Sequence, residues 1–545
     1  MIRAWSAADV RAAEEPLLAA GEPLMARASA ALARIVQGDV RARRRSHRGA
    51  RVALLVGSGN NGGDALFAGA ELARRGAVVT AVAVTDRTHP DGLRALHDAG
   101  GAVVDLAATP ERLGAVADDV ARADVVLDGL VGIGARGALR GLAADLVTAV
   151  AAAMGTGPGA ATGTSSGTST SPTTGPDAVA APGPARRGAR PWVVAVDVPS
   201  GIGVDDGTLP GPVLPADRTV TFGAAKPGLL LPPAARLAGE LTVVDIGLEL
   251  PGPPAVQRLG AADVAADWPV PGPDDHKYTR GVVAVVAGTA TFPGAAVLAS
   301  SAAVRTGAGM VRYRGPDAVG RAVLAVRPEV VTAPGRVQSW VVGPGVPGEG
   351  DDDGQHERGR GGLGAARGDL RGLSQEPTPA VVDAGGLALV EAPCPPWFVL
   401  TPHAGELTTL LRHHGEDVRR RQVEAEPLRW ARRAHELTGA TVLLKGGVTV
   451  VVGPGGTFSQ ADGPGWLATA GAGDVLAGVL GTMLAARSDD VVHDPALAAR
   501  IAAAAALVHG LAAGRANPGG PVAALDVAEA VPATVAALLS DRPRP

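Results

Sequence analysis

Residues 51–64 read RVALLVGSGNNGGD, and this stretch decides the fold of the first half of the chain. The mostly apolar run RVALLV leads into a glycine-rich loop, and DALFAGAELARRG (64–76) then predicts a helix. A second apolar run, AVVTAVAV (77–84), predicts the next strand. Apolar strands that alternate with helices indicate a parallel sheet covered by helices. The sequence therefore predicts an α/β domain here.

Polar side chains follow several of the predicted strands. The sheet is extended by further apolar runs at 125–132, 192–201, 218–223 and 241–247. In open parallel sheets, ligands bind outside the carboxyl ends of the strands. The polar residues at those ends are Asn60, Asn61, Asp64, Asp128, Asp197 and Ser200. We expect these side chains to share one edge of the sheet and to form a binding site.

The second half of the chain shows its own alternation of strands and helices. Apolar runs predict strands at 280–290, 340–345, 380–387, 398–406 and 441–453. Residues 293–309 predict a helix that stops at glycine, and TAGAGD (469–474) predicts a glycine turn that opens another helix. The halves share no repeat, so we predict two different α/β domains, the first a Rossmann-like three-layer domain.

Two stretches interrupt this alternation. Residues 155–190 are rich in Gly, Ser, Thr and Pro and cannot bury apolar surface, which predicts a disordered insertion. A second insertion is predicted at about 347–375, where the sequence is charged and rich in glycine. The Pro-rich segment 251–260 is the predicted domain linker.

Composition excludes several classes of protein. With 46% hydrophobic and 19% charged residues, the chain of 545 residues can bury a core and is not disordered throughout. The net charge of −4 excludes general nucleic-acid binding, and apolar runs such as Ile501–Val508 fall short of the ~20 residues of a membrane helix. Glu14 and Pro16 stand where a signal peptide would be apolar. The lone Cys394 excludes disulfides and Cys-based zinc sites. We predict a soluble cytoplasmic protein.

Lysine is scarce, and its positions are therefore informative. The chain has three lysines, at Lys226, Lys277 and Lys445, among 50 basic Lys and Arg residues. Lysine offers a compact charge and an adjustable pKa that arginine lacks. A lysine retained in an arginine-rich chain is a candidate for a role that arginine cannot fill, with chance as the alternative.

The strongest local motif is TAGAGDVLAG (469–478). Glycines at 471 and 473 let the amide groups of a helix N-terminus point at an anion such as a polyphosphate. Asp474 could then accept a proton from an attacking hydroxyl, as in phosphoryl transfer. The alternative is an aspartate that merely caps the helix. The motif KGGVT (445–449) favours the first interpretation, because it adds a lysine on a glycine turn between two strands.

Together with TPHAGE (401–406) and residues 276–310, these motifs resemble the ribokinase-like superfamily, and within it the NAD(P)H-hydrate dehydratase family, over residues 258–540. The resemblance implies that Asp474 is the catalytic base and that a nucleotide, with magnesium, is the phosphoryl donor; it favours ADP, with ATP as the alternative. It implies a nucleotide site at Lys445, Gly446, Gly447, Val448, Thr449 and Gly473. It implies a hydrate site at Ala295, Gly345, His403 and Asp474. Gly385 departs from the family, which usually has an aspartate there, and this affects any magnesium-handling role of the loop.

Residues 1–249 resemble the NAD(P)H-hydrate epimerase family through NNGGD (60–64), DGLVGIG (128–134), DVPSG (197–201) and TFGAAKPG (221–228). The resemblance implies that the hydrate-binding residues are Asn60, Asn61, Gly62, Gly63, Asp64, Gly132, Ile133, Gly134, Ala135, Arg136, Gly137, Ala138 and Asp197. It implies a potassium ion held by Asn61, Asp128 and Ser200, all with oxygen atoms that a hard cation prefers. Asp197 is the expected proton-transfer group, with Lys226 as a second candidate. Ala65 stands where the family more often has glycine.

The expected function is repair of hydrated NADH and NADPH. One domain would interconvert the R and S epimers, and the other would use ADP to dehydrate the S form, giving NAD(P)H, AMP and phosphate. The alternatives are a vitamin or sugar kinase fused to a binding domain, and a nucleotide-sensing scaffold. A dehydrogenase is disfavoured because GSGNNGGD lacks the G-x-G-x-x-G spacing. We also predict that the chain forms a homo-oligomer. Its predicted partners are NADH hydrate, NADPH hydrate and ADP, and we predict no binding of nucleic acid or membrane.

Overall fold

The computed structural model describes residues 1–44, 46–134, 137–156, 190–347 and 377–540. The chain divides into two compact units. The N-terminal unit comprises Trp5–Leu229 and Pro233–Pro253, and the C-terminal unit comprises Met1–Ala4, Leu230–Pro232 and the chain from Pro254 onward. Most of both predicted insertions lies outside the described residues.

The first strand, β1 (Ile2–Ala4), belongs to the C-terminal unit. The strands of the N-terminal unit are β2 (Arg51–Val56), β3 (Val78–Ala83), β4 (Ala102–Asp105), β5 (Val125–Gly129), β6 (Trp192–Val196), β7 (Arg218–Phe222) and β8 (Glu240–Val244). In the described part of this unit they form one seven-stranded sheet in the order β4-β3-β2-β5-β6-β7-β8, with every pair parallel. The predicted parallel sheet is confirmed.

The helices of this unit cover the sheet. They are α1 (Ala7–Ala19), α2 (Leu24–Arg44), α3 (Asn60–Arg74), α4 (Pro90–Asp98), α5 (Leu113–Ala121), α6 (Gly141–Ala153) and the short α7 (Pro227–Leu230). One apolar cluster packs α2 and α3 against the sheet, and a second packs α5 and α6. The three-layer arrangement that the sequence predicts is present.

The start of α3 differs from the sequence prediction, which treated NNGGD as loop. The loop ends at Gly59, whose φ of 104° requires glycine, and the helix begins at Asn60. Gly62 lies in the first turn, where a Cβ would stand 2.4 Å from the carbonyl oxygen of Gly57. Glycine therefore allows the helix start to pack against the end of β2, which a periodicity argument could not reveal.

The strands of the C-terminal unit, besides β1, are β9 (Val256–Arg258), β10 (Val282–Val286), β11 (Met310–Tyr313), β12 (Ser339–Val342), β13 (Ala380–Val382), β14 (Phe398–Leu400), β15 (Thr441–Leu444), β16 (Thr449–Gly453) and β17 (Gly456–Gln460). In the described part of the chain their order is β1-β9-β17-β16-β15-β14-β13-β12-β10-β11. The run from β11 to β15 is parallel, whereas β15, β16 and β17 are antiparallel neighbours.

The helices of this unit are α8 (Ala261–Asp267), α9 (Pro293–Thr306), α10 (Asp317–Val326), α11 (Ala404–His413), α12 (Arg420–Ala425), α13 (Pro427–Thr438), α14 (Ala472–Ala486), α15 (Ser488–His493), α16 (Leu497–Ala516) and α17 (Ala524–Ser540). Helix α9 stops at Gly307, with φ of 99°, as predicted. Among the described residues, α16 alone is long and apolar enough to cross a membrane; most of it is buried inside the unit, as in a core helix.

The predicted linker 251–260 is only partly a linker. Along the chain, the range of the N-terminal unit ends at Pro253 and that of the C-terminal unit resumes at Pro254. Val256–Arg258 nevertheless forms β9, which pairs with β1 and β17. The prolines that suggested a linker end at Pro254, and the three residues of β9 are too few to show a strand pattern in the sequence. Pairing with strands distant in sequence decides their structure.

Candidate functional sites in the two units

Asp128, Ser200 and Asn61 lie together at the carboxyl edge of the N-terminal sheet. Asp128 is fully buried near the end of β5, and Ser200 donates to it twice, from Oγ to Oδ1 at 2.6 Å and from its amide to Oδ2 at 2.8 Å. Burial raises the pKa of Asp128, although the hydrogen bonds from Ser200 oppose the rise. The backbone carbonyl of Asn61 packs over Gly129, the residue that follows Asp128. A cation would relieve the burial of this carboxylate.

Further polar atoms lie at this edge of the sheet. Nδ2 of Asn61 is buried without a hydrogen-bond partner among the described residues, which is costly for an amide. The side chain of Asn61 packs on Gly132, where a Cβ would stand 3.2 Å from it. The carbonyl oxygen of Val131 lies 3.3 Å from Ser200 Oγ. The carboxylate, hydroxyl and carbonyl oxygens at this edge are the kinds of ligand that a hard cation prefers.

Asp197 is held by a buried lysine. Nζ of Lys226 donates to Asp197 Oδ1 at 2.5 Å, and the side chain of Lys226 is 1% exposed. The backbone of Asp197 has a φ of 66°, a left-handed conformation that costs most residues of order 1 kcal/mol or more and often occurs at functional sites. The sequence analysis named Asp197 as the expected proton-transfer group and Lys226 only as a second candidate, and the structure shows that the two side chains are partners.

Two more acids interact with this pair. Burial raises the pKa of Asp64 well above its ordinary value, and the charges of Asp197 and Glu14 add to the rise while Lys226 opposes it. Burial also raises the pKa of Glu14, a residue of α1 that the sequence analysis did not select as a site residue. Oδ1 of Asp64 is buried without a partner in the described structure. The site therefore holds more carboxyl groups than one lysine can neutralise.

The segment from Gly132 to Ala138 is described only in part. Ala135 and Arg136 lie outside the described residues, whereas Ile133, Gly134, Gly137 and Ala138 follow β5 as predicted. The carbonyl of Ile133 accepts a 2.6 Å hydrogen bond from Arg11 of α1. Ala65 is fully buried and its methyl group packs on Gly129, so the methyl that departs from the family pattern is accommodated.

In the C-terminal unit, Asp474 lies in the first turn of α14. The helix follows Gly471, whose φ of 85° needs glycine, as the TAGAGD motif predicts. The pKa of Asp474 is raised to about 7, chiefly by burial and also by the charges of Asp383 and Glu406, against the opposing charge of Lys445. At Gly473 a Cβ would lie 3.2 Å from Lys445 Nζ, so only glycine leaves the lysine this close to the helix start. The positive helix end and Lys445 together favour a phosphate.

Lys445 is bound to two carboxylates. It directly follows β15 and donates to Asp383 Oδ1 at 2.7 Å, and its Nζ lies 3.5 Å from Glu406 Oε2. Burial lowers the pKa of Lys445, but the two acids outweigh burial and the net pKa is raised. Thr401 donates to the same oxygen of Asp383 at 2.8 Å. The remaining residues of KGGVT, which are Gly446, Gly447, Val448 and Thr449, form the predicted turn into β16.

The predicted hydrate residues lie on neighbouring elements. His403 caps α11 by accepting from the amides of Gly405 and Glu406, and half of its side chain is exposed. The backbones of His403 and Lys445 also form an isolated parallel β-bridge. Gly345 packs against Ala295, where a Cβ would stand 2.4 Å from the Ala295 methyl group. The structure therefore brings His403 to Lys445 and Gly345 to Ala295.

Gly385 leaves no room for the side chain that the family usually has. A Cβ there would stand 2.3 Å from the carbonyl oxygen of Val346 and 2.7 Å from that of Pro347. An aspartate would require the backbone to move. The carboxylates near the candidate nucleotide site are instead Asp383, Glu406 and Asp474, and magnesium in nucleotide sites usually needs only one or two carboxylates besides phosphates and water.

His509 is a buried group that the sequence analysis missed. It lies in α16, and burial lowers its pKa to about 4, which a backbone interaction with Ala472 opposes and Lys445 reinforces. Its Nε2 has no partner among the described residues. No sequence signal marked this histidine, because it stands in an alanine-rich helix 35 residues after Asp474.

Comparison with known proteins matches both units. A family model described as "YjeF-related protein N-terminus" matches residues 21–228, and one described as "NAD(P)H-hydrate dehydratase" matches residues 283–532. A bifunctional NAD(P)H-hydrate repair enzyme of Mycobacterium tuberculosis is 40% identical over 500 residues, which is 88% of this chain and 89% of that protein. The chain belongs to the bifunctional NAD(P)H-hydrate repair enzyme family.

Members of this family combine epimerase and dehydratase domains, and this chain contains a match to each. An NAD(P)H-hydrate epimerase of Clavibacter sepedonicus is 42% identical over 258 residues, covering 47% of this chain and 94% of that protein. A crystal structure of the ADP/ATP-dependent NAD(P)H-hydrate dehydratase of Bacillus subtilis, co-crystallised with ATP and Mg²⁺, is similar over 51% of this chain and 97% of that one, with 24% identity and a TM-score of 0.42. The matched ranges contain the site motifs that the sequence analysis selected, except the first residues of the stretch 276–310, which precede the second range.

Proposed function

We propose that the N-terminal unit interconverts the epimers of hydrated NADH and NADPH, and that the C-terminal unit dehydrates the S epimer with ADP as phosphoryl donor. The observation that carries the second assignment is Asp474, a carboxyl group whose pKa is raised to about 7 at a helix start beside the partly buried Lys445. Family membership supplies the substrate class.

Asp474 is the proposed general base of dehydration. Its carboxylate takes the proton of the C6 hydroxyl as that oxygen forms a bond to the terminal phosphorus of ADP and the P–O bond to AMP breaks. Phosphate then leaves with the electrons of the C6–O bond, and loss of a proton from the neighbouring ring carbon restores the double bond. Hydroxide leaves poorly, whereas phosphate leaves well. The products are NAD(P)H, AMP and phosphate.

Two further groups support this reaction. The amides at the start of α14, near Gly473, and the ammonium of Lys445 can stabilise negative charge on the transferring phosphoryl group. We place the nucleotide against Lys445–Thr449 and Gly473, and the hydrate near Ala295, Gly345 and His403. Magnesium bound to the nucleotide would neutralise its phosphates, and Asp383 and Glu406 are the nearby acids that could hold it.

For the epimerase we propose that Asp197 transfers the proton of the C6 hydroxyl, and that the hydrate binds against Asn60–Asp64 and the loop after β5. Asn61, Asp128 and Ser200 would hold potassium. Their fit rests on a fully buried carboxylate whose hydrogen bonds, within the described part of the chain, come from neutral groups. The ion would supply the positive charge that lets a diphosphate approach Asp128.

A simple kinase fused to a binding domain would keep its phosphate on the product, so one assay separates the proposals. The purified chain is given racemic NADH hydrate with ADP or ATP, and recovery of the reduced nicotinamide absorbance and release of phosphate are followed. We expect full recovery, including the R half, one phosphate per NADH, and faster recovery with ADP. A stable phosphorylated product contradicts the dehydratase proposal. Recovery that stops at half contradicts the epimerase proposal.

Location and assembly remain predictions. We infer that the protein acts in the cytoplasm, where NADH and ADP are both present, and that it forms a homo-oligomer. Sedimentation velocity of the purified chain tests the second statement.

A further inference from the structure

The N-terminal site contains one buried lysine and three carboxyl groups that interact with it. Lys226 lies between β7 and α7, Asp197 follows β6, Asp64 lies in α3 and Glu14 lies in α1. Arg11, also in α1, interacts with Glu14 from the same helix. Within a buried site, one lysine can fully neutralise only one carboxylate. The hydrogen bonds of Lys226 therefore identify the acid with which it pairs.

The contacts of Lys226 single out Asp197. An ammonium group has three donors, and all three are used. Nζ donates to Asp197 Oδ1 at 2.5 Å, to Thr221 Oγ1 at 2.9 Å and to the carbonyl oxygen of Phe222 at 3.0 Å. No described hydrogen bond joins Lys226 to Asp64 or Glu14. Lys226 therefore has no proton free for the substrate, and it cannot itself be the group that transfers one.

The remaining hydrogen bonds fix the orientation of Asp197. Thr221 Oγ1 donates to the same Oδ1 at 3.0 Å, and the amide of Phe222 approaches it at 3.4 Å. In the described part of the chain, every side-chain hydrogen bond of Asp197 reaches Oδ1, so Oδ2 is left for a ligand. The amide of Asp197 donates to Val220 at 2.7 Å, which holds the left-handed backbone in place.

We propose that Lys226 is the positioning residue of the epimerase: with Thr221, it holds Oδ1 of Asp197 and so turns the free Oδ2 toward the hydroxyl of the substrate. This inference rests on the proposed epimerase function of Asp197. Oδ2 would take the hydroxyl proton as one epimer reacts and return it as the other forms, so the carboxylate is regenerated.

A double-mutant cycle tests this proposal. Epimerisation of separated R and S hydrates is measured in the full chain for Lys226→Met, Asp197→Asn and the double variant. We expect Asp197→Asn and Lys226→Met each to lower kcat by about 10²-fold or more, with KM changed much less. The double variant should be within about 2-fold of Asp197→Asn, because Lys226 acts only through Asp197. Lys277→Met is the matched control, since Lys277 is exposed and belongs to the other unit.

Dehydration of the S hydrate by the same chains shows that each variant is intact in its other unit. If Lys226→Met does not fold, Thr221→Val carries the test, since it removes one hydrogen bond to Oδ1 and keeps the lysine. We expect a loss of several-fold in kcat that Thr221→Ser recovers. Unchanged kcat in folded Lys226→Met or in Thr221→Val, or losses that multiply in the double variant, would overturn the proposal. Unimpaired Asp197→Asn would instead overturn the proposed role of Asp197.

Discussion

Replacing Asp474 by asparagine separates its chemical role from its structural one. The amide keeps the size of the side chain and its place in the first turn of α14, but it cannot accept a proton. A positioned general base contributes about 10²–10⁴-fold, so we expect dehydration to fall by that factor while epimerisation is retained. In the unaltered protein the dehydration rate should rise with pH through about 7, the pKa of Asp474.

The same substitution should change stability in a pH-dependent way. The pKa of Asp474 is raised from 3.8 to about 7 in the folded protein, so the folded state holds this proton more tightly than the unfolded state. Stability from this group is fully present below pH 3.8 and is lost as pH rises through about 7. Each pKa unit corresponds to about 1.4 kcal/mol, so the loss is at most on the order of 4 kcal/mol above pH 7. Asparagine avoids this loss.

Calorimetric unfolding of the full chain at pH 5 and pH 8, without nucleotide, measures this effect. We expect the Tm of the C-terminal transition in Asp474→Asn, taken relative to the unaltered chain, to be higher at pH 8 than at pH 5. Asn60→Asp, in the N-terminal unit, serves as a control that leaves this transition unchanged. Dehydration within a few-fold of normal would show that Asp474 is not the general base. A stability difference that does not depend on pH would contradict its raised pKa.

Three further predictions concern other groups. Asp128→Ala should lower epimerase activity and its dependence on potassium without affecting dehydration; an unaltered potassium titration would show that Asp128 holds no ion. Gly385→Asp should destabilise the C-terminal unit by about 1–3 kcal/mol, because a Cβ would stand 2.3 Å from a carbonyl oxygen, and urea unfolding beside Gly294→Ala, an open position, measures this. The pKa of His509 is lowered to about 4, so its contribution to stability is present above pH 6.5 and is lost as pH falls toward 4. His509→Gln should therefore flatten the pH dependence of Tm between those values. An equally steep curve in the variant would contradict the lowered pKa.

Gly385 shows how a departure from a family pattern gains meaning from the structure. In the sequence it is a missing aspartate in an otherwise familiar motif. In the structure the chain passes so close to Val346 that a side chain cannot be placed without moving the backbone. The loop has therefore adapted to glycine, and Asp383, two residues earlier, provides the carboxylate that contacts Lys445.

The scarcity of lysine was the most useful compositional signal. Lys226 is buried and paired with Asp197, Lys445 is partly buried and paired with Asp383, and Lys277 is exposed. Composition could indicate that these positions matter, but it could not name their partners. Asp383 lies 62 residues from Lys445, and Asp197 lies 29 residues from Lys226.

Local patterns were enough to predict many elements: the apolar run 51–56 is a strand, and the glycine at 471 opens α14, because hydrophobic periodicity and a positive φ are local properties. The motifs also pointed to the family. The pairing of β1 and β9 in the C-terminal sheet, and the gathering of His509, Glu406 and Asp383 near Asp474 and Lys445, became visible in the folded protein alone. Such proximity comes from packing between distant segments, and the raised or lowered pKa values come from the burial that packing creates, neither of which a linear pattern contains.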